Sequence, residues 1–147
     1  MKISITSGKA EGPSKLNAFD NALLDAGIGN VNLIKVSSII PANSEFVKLP
    51  ELTSGDMINC VLAHRTSKNK GDLITAVIAI ATSEDFGCVA EHSDVNKDPE
   101  EVKEKAVFMA KEMMKIRGME IKEIIVKKIS HTVHDEGSVV AAVIYLE

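Results

Sequence analysis

The sequence predicts an α+β fold in which long strands outnumber helices. Most apolar segments show the alternation or the β-branched content of strands, whereas two segments show the spacing of amphipathic helices. These helices do not alternate regularly with strands, as they would beside a parallel sheet. We therefore predict a layered sandwich with the order β-α-β-β-β-β-α-β-β.

The first third of the chain gives clear strand, loop and helix signals. Lys2–Thr6 alternates polar and apolar residues, and the glycines and proline of Ser7–Lys15 predict a loop. Leu16–Asp25 carries apolar residues at helical spacing and is followed by glycine, which favours a helix end. Asn30–Ser37 is rich in β-branched residues and is predicted as a strand. Ile39–Gly55 contains two prolines and is predicted as an irregular connection.

The rest of the chain predicts further strands around one long helix. Met57–Arg65 and Leu73–Ala81 have strand composition, and the polar turn between them predicts a hairpin. Asp98 is a suitable N-cap, Pro99 suits the first helical turn, and Gly118 ends the apolar stripe of the helix. The remaining strands are predicted at Gly87–Ser93, Glu120–His131 and Ser138–Leu146.

Composition restricts the class of protein. A chain of 147 residues fits one domain, and 45% hydrophobic with only 3% aromatic residues predicts an aliphatic core. The net charge of −4 argues against a nucleic-acid partner, which usually requires a basic surface. No apolar run approaches the ~20 residues that span a bilayer, and the N-terminus lacks a signal sequence. We expect a cytoplasmic protein without a membrane partner.

Cysteines and histidines give no evidence of a metal site. Cys60 and Cys88 lie in apolar segments without CxxC spacing and are predicted to be buried, reduced thiols. On a strand, His131 and His134 would face opposite sides and could not share an ion. If they lie in a turn they could do so, with Asp135 as the one further ligand in view. We expect no metal.

The dipeptide Ser37-Ser38 is the most informative feature, because a strand-like segment runs directly into two hydroxyl groups. The Ser38 hydroxyl can attack the Ser37 carbonyl and convert the peptide into an ester. Elimination and hydrolysis then leave a pyruvoyl group on residue 38. The developing oxyanion needs a donor, and the Asn32 side chain is a candidate. Since six extended residues span about 20 Å, Asn32 could help only through a bend or from a neighbouring subunit. It could instead bond a nearby turn.

The residues around this dipeptide resemble the pyruvoyl-dependent arginine decarboxylase family. The resemblance covers nearly the whole chain. It implies a four-layer αββα sandwich assembled as a homotrimer, with active sites between subunits. It also implies cleavage into residues 1–37, the β chain, and residues 38–147, the α chain. The motifs that carry it are LNAFD from Leu16, ALL from Ala22, AGIGNVNL from Ala26 and VSSIIP from Val36.

The resemblance also implies the reaction and the residues that carry it. The substrate would be L-arginine and the products agmatine, a polyamine precursor, and CO₂. The cofactor would be a covalent pyruvoyl group made from Ser38, with neither metal nor pyridoxal phosphate. Asn32 carries roles in processing and in the active site, Glu91 is the catalytic glutamate, and Asp20 is the acidic residue of the LNAFD motif. The remaining substrate-binding residues would be Leu16, Leu23, Gly29, Val31 and Ile39.

These residue types suit the chemistry. A glutamate beside apolar residues has a raised pKa and can hold a proton for the Cα carbanion, as Glu91 would after Val89 and Ala90. The Asp20 carboxylate can pair with a guanidinium in bidentate fashion. Leu16 and Leu23 share its helical face and could contact the aliphatic part of the substrate.

Other interpretations stay open at the level of sequence. Asp20 could be a solvated helix residue, and Glu91 could lie on the surface of a strand. The substrate could be another amino acid. The protein could also be a non-catalytic, trimeric ligand-binding protein in which the Ser37–Ser38 bond stays intact.

Overall fold

The computed structural model describes all residues 1–147, which fold into nine strands and two helices. The elements, in chain order, are β1 (Lys2–Glu11), α1 (Lys15–Asp25), β2 (Asn32–Lys35), β3 (Ile39–Ile40), β4 (Glu45–Phe46), β5 (Met57–Ser67), β6 (Leu73–Thr82), β7 (Gly87–Val95), α2 (Pro99–Ile116), β8 (Glu123–Thr132) and β9 (Gly137–Tyr145).

The strands form two sheets, of which the first is mixed and the second is antiparallel. The first sheet has the order β2-β5-β9-β1-β4, and the second has the order β3-β7-β6-β8. Strands β2 and β5 pair in parallel, as do β1 and β4, whereas the other pairs are antiparallel. Since β1 lies between β9 and β4, the N-terminal segment is an interior strand of the first sheet.

Apolar side chains bury both faces of each sheet. Along β9, Val139, Ala141 and Val143 join the cluster between the sheets, whereas the alternate residues pack towards α1. Helix α2 packs in the same way on the outer face of the second sheet, through a cluster that includes Val102 and Ala106. The predicted α+β sandwich is confirmed.

The structure differs from the predicted elements in two segments, the loop predicted at Ser7–Lys15 and the connection predicted at Ile39–Gly55. Strand β1 does not end at Thr6 but continues through Glu11, because its pairing with β9 extends across Gly8. That glycine lets the strand approach α1, since a Cβ there would lie 2.6 Å from the Ala26 nitrogen. The segment predicted as an irregular connection contains the short strands β3 and β4, which add two strands to the predicted order.

The predicted hairpin of β5 and β6 is wrong, because the two strands lie in different sheets. Both strands are buried on both faces, so each needs neighbours above and below as well as at its sides. The connection is fixed by Ser67, whose hydroxyl donates to Asp72 at 2.7 Å, and by Gly71, whose N–H donates to the Val133 carbonyl at 2.8 Å. It therefore carries the chain from one sheet to the other.

Both predicted helices are confirmed, and so is the predicted N-cap of α2, Asp98, whereas the N-cap of α1, Ser14, was not predicted. Ser14 Oγ accepts a hydrogen bond from the Asn17 N–H at 3.1 Å at the start of α1. Asp98 Oδ1 accepts one from the Glu100 N–H at 2.9 Å at the start of α2. Neither helix combines the length and apolarity needed to cross a bilayer.

The cysteines are free and buried, as predicted. Burial raises the pKa of Cys60 to about 11, so the thiol stays protonated at neutral pH.

His131 and His134 have ring centroids 6.0 Å apart, but His131 Nε2 lies 2.6 Å from Glu11 Oε2. The Glu11 carboxylate also accepts a hydrogen bond from the Asp135 N–H at 2.8 Å, which fixes the loop before β9 to the end of β1.

The close approach of β1 to α1 yields a stability prediction. In Gly8→Ala the new methyl group would meet the Ala22 carbonyl and the Ala26 backbone, so strand or helix must shift. We expect the free energy of unfolding to fall by about 1–3 kcal/mol, as for other overpacked sites. Urea denaturation measures this change. Lys9→Ala, at the exposed neighbouring position, is the control, and equal stabilities for the two variants would contradict the packing described.

Candidate active site

The Ser37–Ser38 peptide is the point at which the chain crosses from the first sheet to the second. Before it, the Val36 N–H donates to the Cys60 carbonyl of β5 at 2.9 Å. After it, the Ser38 carbonyl accepts a hydrogen bond from the Val89 N–H of β7 at 2.8 Å. The dipeptide is thus held on one side by the first sheet and on the other by the second.

Glu91 lies on β7, close to this crossing. Since Ser38 faces Val89 across the β3–β7 pairing, Glu91 is two residues further along the same strand. Strand spacings place its Cα about 8 Å from that of Ser38. Val89 points into the cluster between the sheets, and Glu91, on the same face of β7, points to the edge of that space.

Glu91 borders a cavity of about 340 Å³ between β5 and β7. Arg65 closes one side of it by donating from its guanidinium to the Ser93 carbonyl at 3.0 Å. Although Glu91 keeps contact with solvent, burial in this cavity raises the pKa of its carboxyl group. The charge of Lys35 and the Leu62 backbone amide offset only part of that effect. The carboxyl group therefore holds a proton to higher pH than a solvated glutamate does.

Tyr145 contacts the segment that follows the serines. Its hydroxyl donates to the Ile39 carbonyl at 2.8 Å, although Tyr145 belongs to the first sheet and Ile39 to the second. Burial raises the pKa of Tyr145 to about 12, with a smaller contribution from Cys60. The phenol is therefore a neutral hydrogen-bond donor at physiological pH.

Asn32 is not brought to Ser38 within one chain. It begins β2, and its side-chain Nδ2 donates to the Gly55 carbonyl at 3.1 Å. Its backbone N–H donates to the Asp56 carbonyl at 2.8 Å. Within the chain, the amide therefore holds a neighbouring turn, the alternative that the sequence left open.

Five of the six predicted substrate-binding residues do not adjoin the serine pair in sequence. Gly29 and Val31 border a separate cavity of about 380 Å³, together with Leu49 and Leu52. Asp20 and Leu16 lie on the exposed face of α1, where Leu16 is 73% exposed. Leu23 instead packs partly into the cluster beneath α1. Ile39 alone among the predicted substrate-binding residues adjoins the serine pair.

Sequence reasoning missed three side chains near the crossing. Lys35 and His64 border the same cavity as Glu91, and Tyr145 bonds Ile39. Lys35 could have been suspected from its position two residues before Ser37. His64 and Tyr145 are far from the serines in sequence, and only the pairing of β5 and β9 brings their strands together.

The buried phenol yields a spectroscopic prediction. The chain has one tyrosine and no tryptophan, so phenolate absorbance near 295 nm reports Tyr145 alone. We expect a midpoint of about 12 in the folded protein, against roughly 10 for the chain unfolded in guanidinium. Because the folded pKa is raised, this group's contribution to stability is complete below pH 10 and is lost towards pH 12. A folded-state midpoint of about 10 would contradict the burial described.

Comparisons with known proteins show which family the chain belongs to. Residues 2–147 match the family described as pyruvoyl-dependent arginine decarboxylase. The chain is 60% identical, over 100% of its length and 97% of the relative's, to the protein of that name from Methanothermobacter thermautotrophicus. It is 41% identical to that of Pyrococcus furiosus and 40% identical to that of Methanococcus aeolicus, with 97% and 96% of this chain and 93% and 87% of those relatives covered. The chain therefore belongs to the pyruvoyl-dependent arginine decarboxylase family.

Proposed function

We propose that this protein cuts its own Ser37–Ser38 bond and then decarboxylates L-arginine to agmatine and CO₂. The observation that carries the proposal is the placement of Ser38 where the chain crosses between sheets, with Glu91 two residues beyond its pairing partner. The names of the relatives support arginine as the substrate, and the proximity of Ser38 to Glu91 supports their roles as nucleophile and proton donor.

Self-cleavage uses groups of the chain and one water molecule. The Ser38 Oγ bonds to the Ser37 carbonyl carbon, the bond from that carbon to the Ser38 nitrogen breaks, and the hydroxyl proton passes to the nitrogen. Loss of the residue 38 Cα proton then breaks the Cβ–O bond and releases Ser37 as a free carboxylic acid. Water converts the remaining enamine into a ketone, and ammonia leaves. The result is residues 1–37 and a fragment that begins with a pyruvoyl group.

The surroundings of residue 38 suit such a group. Its carbonyl is fixed by the Val89 N–H, and the carbonyl of the next residue is fixed by the Tyr145 hydroxyl. The backbone on the C-terminal side of the new end is therefore held without the bond to Ser37. When present, the group supplies an electron sink for loss of CO₂, the role that pyridoxal phosphate has elsewhere.

Glu91 supplies the proton that replaces CO₂ at the substrate Cα. A general acid is most effective when its pKa lies near the working pH, and burial moves the Glu91 carboxyl group in that direction. The neighbouring charge of Lys35 keeps the shift from becoming extreme.

Recognition of the guanidinium group involves a second copy of the chain in this proposal. Asp20 and Leu16 lie on the exposed face of α1, where a neighbouring copy can reach them. At the edge of the first sheet, β2 also exposes Ile34, 41% accessible, and Val36 follows at 38%. We infer a homotrimer in which α1 of one copy contributes Asp20, and Asn32 contributes its amide, near the Ser38 of another. Gel filtration with light scattering measures that state.

The first prediction from this function concerns the scissile bond. Ser38→Ala removes the nucleophile, so we expect one uncut chain on a denaturing gel. Ser37→Ala is the matched control, because residue 37 contributes only its carbonyl, and it should still yield two fragments. Two fragments from Ser38→Ala would contradict the mechanism.

The second prediction concerns the proton donor. Glu91→Gln keeps the shape of the side chain but cannot donate the proton, so cleavage should proceed while kcat falls about a hundredfold or more. Wild-type kcat should decline as pH rises through the raised pKa of Glu91, because the protonated form donates. Glu112→Gln, exposed on α2, is the control. Near-normal turnover by cleaved Glu91→Gln would remove this role.

The substrate is tested with cleaved wild-type protein. Incubation with L-arginine should yield agmatine and CO₂ in equal amounts, measured by chromatography and by release of labelled CO₂. Lysine and ornithine serve as comparisons that lack the guanidinium group. Faster decarboxylation of either would overturn arginine as the substrate while leaving self-cleavage intact.

A further inference from the structure

Tyr145 is the last residue of β9 and has a fixed backbone. It pairs with Ile3 of β1 on one side and with Asn59 of β5 on the other, inside the first sheet. Its ring is partly buried and packs against the cluster between the sheets. The hydroxyl is therefore held by a rigid part of the first sheet.

The Ile39 carbonyl has no partner strand on its outer side. Strand β3 is the edge of the second sheet and pairs only with β7. The Ser38 carbonyl points to β7 and accepts the Val89 N–H, whereas successive carbonyls of a strand point in opposite directions. The Ile39 carbonyl thus points away from β7, and the Tyr145 hydroxyl satisfies it at 2.8 Å.

Three hydrogen bonds consequently fix the backbone around the scissile peptide. The Val36 N–H is held by Cys60 at 2.9 Å, the Ser38 carbonyl by Val89 at 2.8 Å, and the Ile39 carbonyl by Tyr145 at 2.8 Å. The first two are backbone bonds, which a change of side chain other than to proline leaves in place. The third depends on a single side-chain hydroxyl, and this chain has no other tyrosine.

We propose that Tyr145 is a positioning residue for self-cleavage, acting through the Ile39 carbonyl to orient the Ser38 hydroxyl towards the Ser37 carbonyl carbon. The role rests on the proposed function and deepens it. Attack requires the two reacting atoms to lie about 3–3.5 Å apart and aligned. Without the Tyr145 hydroxyl, the segment after Ser38 is held only by β7, so the reactive orientation is populated less often.

The step itself balances within the chain. The Ser38 Oγ forms the new bond to the Ser37 carbon, the carbon–nitrogen bond breaks, and the Oγ proton ends on the Ser38 nitrogen. Tyr145 exchanges no proton in this step. Its hydroxyl stays bonded to the Ile39 carbonyl, which lies one residue beyond the bond that is cut, and it continues to hold the new end of the fragment at the first sheet.

The test follows the rate at which newly made chain is cut. Wild-type and Tyr145→Phe chains are labelled in a short cell-free synthesis, and the fragments are followed on denaturing gels. Loss of one hydrogen bond should slow cleavage about five- to tenfold in Tyr145→Phe. The matched control is Thr6→Val, which loses a hydroxyl bond of 2.6 Å from β1 to the Ala26 carbonyl at α1. It should cleave at the wild-type rate, and both variants should have similar thermal midpoints.

The outcomes separate this role from the proposed function. Cleavage of Tyr145→Phe at the rate of Thr6→Val would overturn the role while leaving the function standing. Equal slowing of both variants would also overturn it, because a general loss of stability would then explain the effect. An uncut wild-type chain would overturn the proposed function, and the role would fall with it.

A second measurement decides the case if Tyr145→Phe does not fold. Replacement of tyrosine by 3-fluorotyrosine labels residue 145 alone, so the protein gives one fluorine resonance. The hydroxyl stays bonded to Ile39 in both proteins, but the neighbouring residue 38 changes from an alanine within an uncut chain to a pyruvoyl end, so the resonance should differ between uncut Ser38→Ala and cut wild-type protein. Identical resonances in the two proteins would overturn the role of Tyr145.

Discussion

The crossing of the chain between two sheets at Ser37–Ser38 is the constraint on which the site depends. Val36 is bonded to the first sheet and Ser38 to the second, so the intervening peptide is fixed from both ends. The same crossing brings β3 alongside β7 and so brings Ser38 near Glu91. Ser38, Glu91 and the cavity are thus brought together by one connection, and a chain that had not folded would have none of them together.

The pairing of the sheets also explains how a cut chain would remain whole. Residues before the cut include β1, which lies between β9 and β4 and buries Ile3 in the cluster between the sheets. They also include α1, which packs over the first sheet. Cleavage removes one covalent link between the sheets and leaves these contacts in place. The hydrogen bonds of Val89 and Tyr145 then hold the residues that follow the cut.

Local signals predicted much of the fold, and long-range pairing decided the rest. The cap at Asp98 follows from short-range hydrogen bonding and was predicted, whereas the cap at Ser14 lies in a segment predicted as a loop. The assignment of β5 and β6 to different sheets was not predicted, because a polar turn between two strands suits a hairpin and a connection between sheets equally well. Glu91 could be suspected as a site residue from its apolar neighbours in the sequence. Tyr145 could not, because only long-range strand pairing brings it to Ile39. The Asn32 amide, bonded to the Gly55 carbonyl, shows that one chain does not bring every predicted site residue to Ser38.

The central claim is that the bond at the crossing is absent from mature protein and that residue 38 is no longer a serine. Intact mass spectrometry of the purified wild-type protein tests it most directly. Self-cleavage gives two species. One is residues 1–37 with a free carboxyl end, and the other is residues 38–147, lighter by one ammonia than the same fragment beginning with serine. A single full-length mass, or a larger fragment with an unmodified serine at its start, would contradict it.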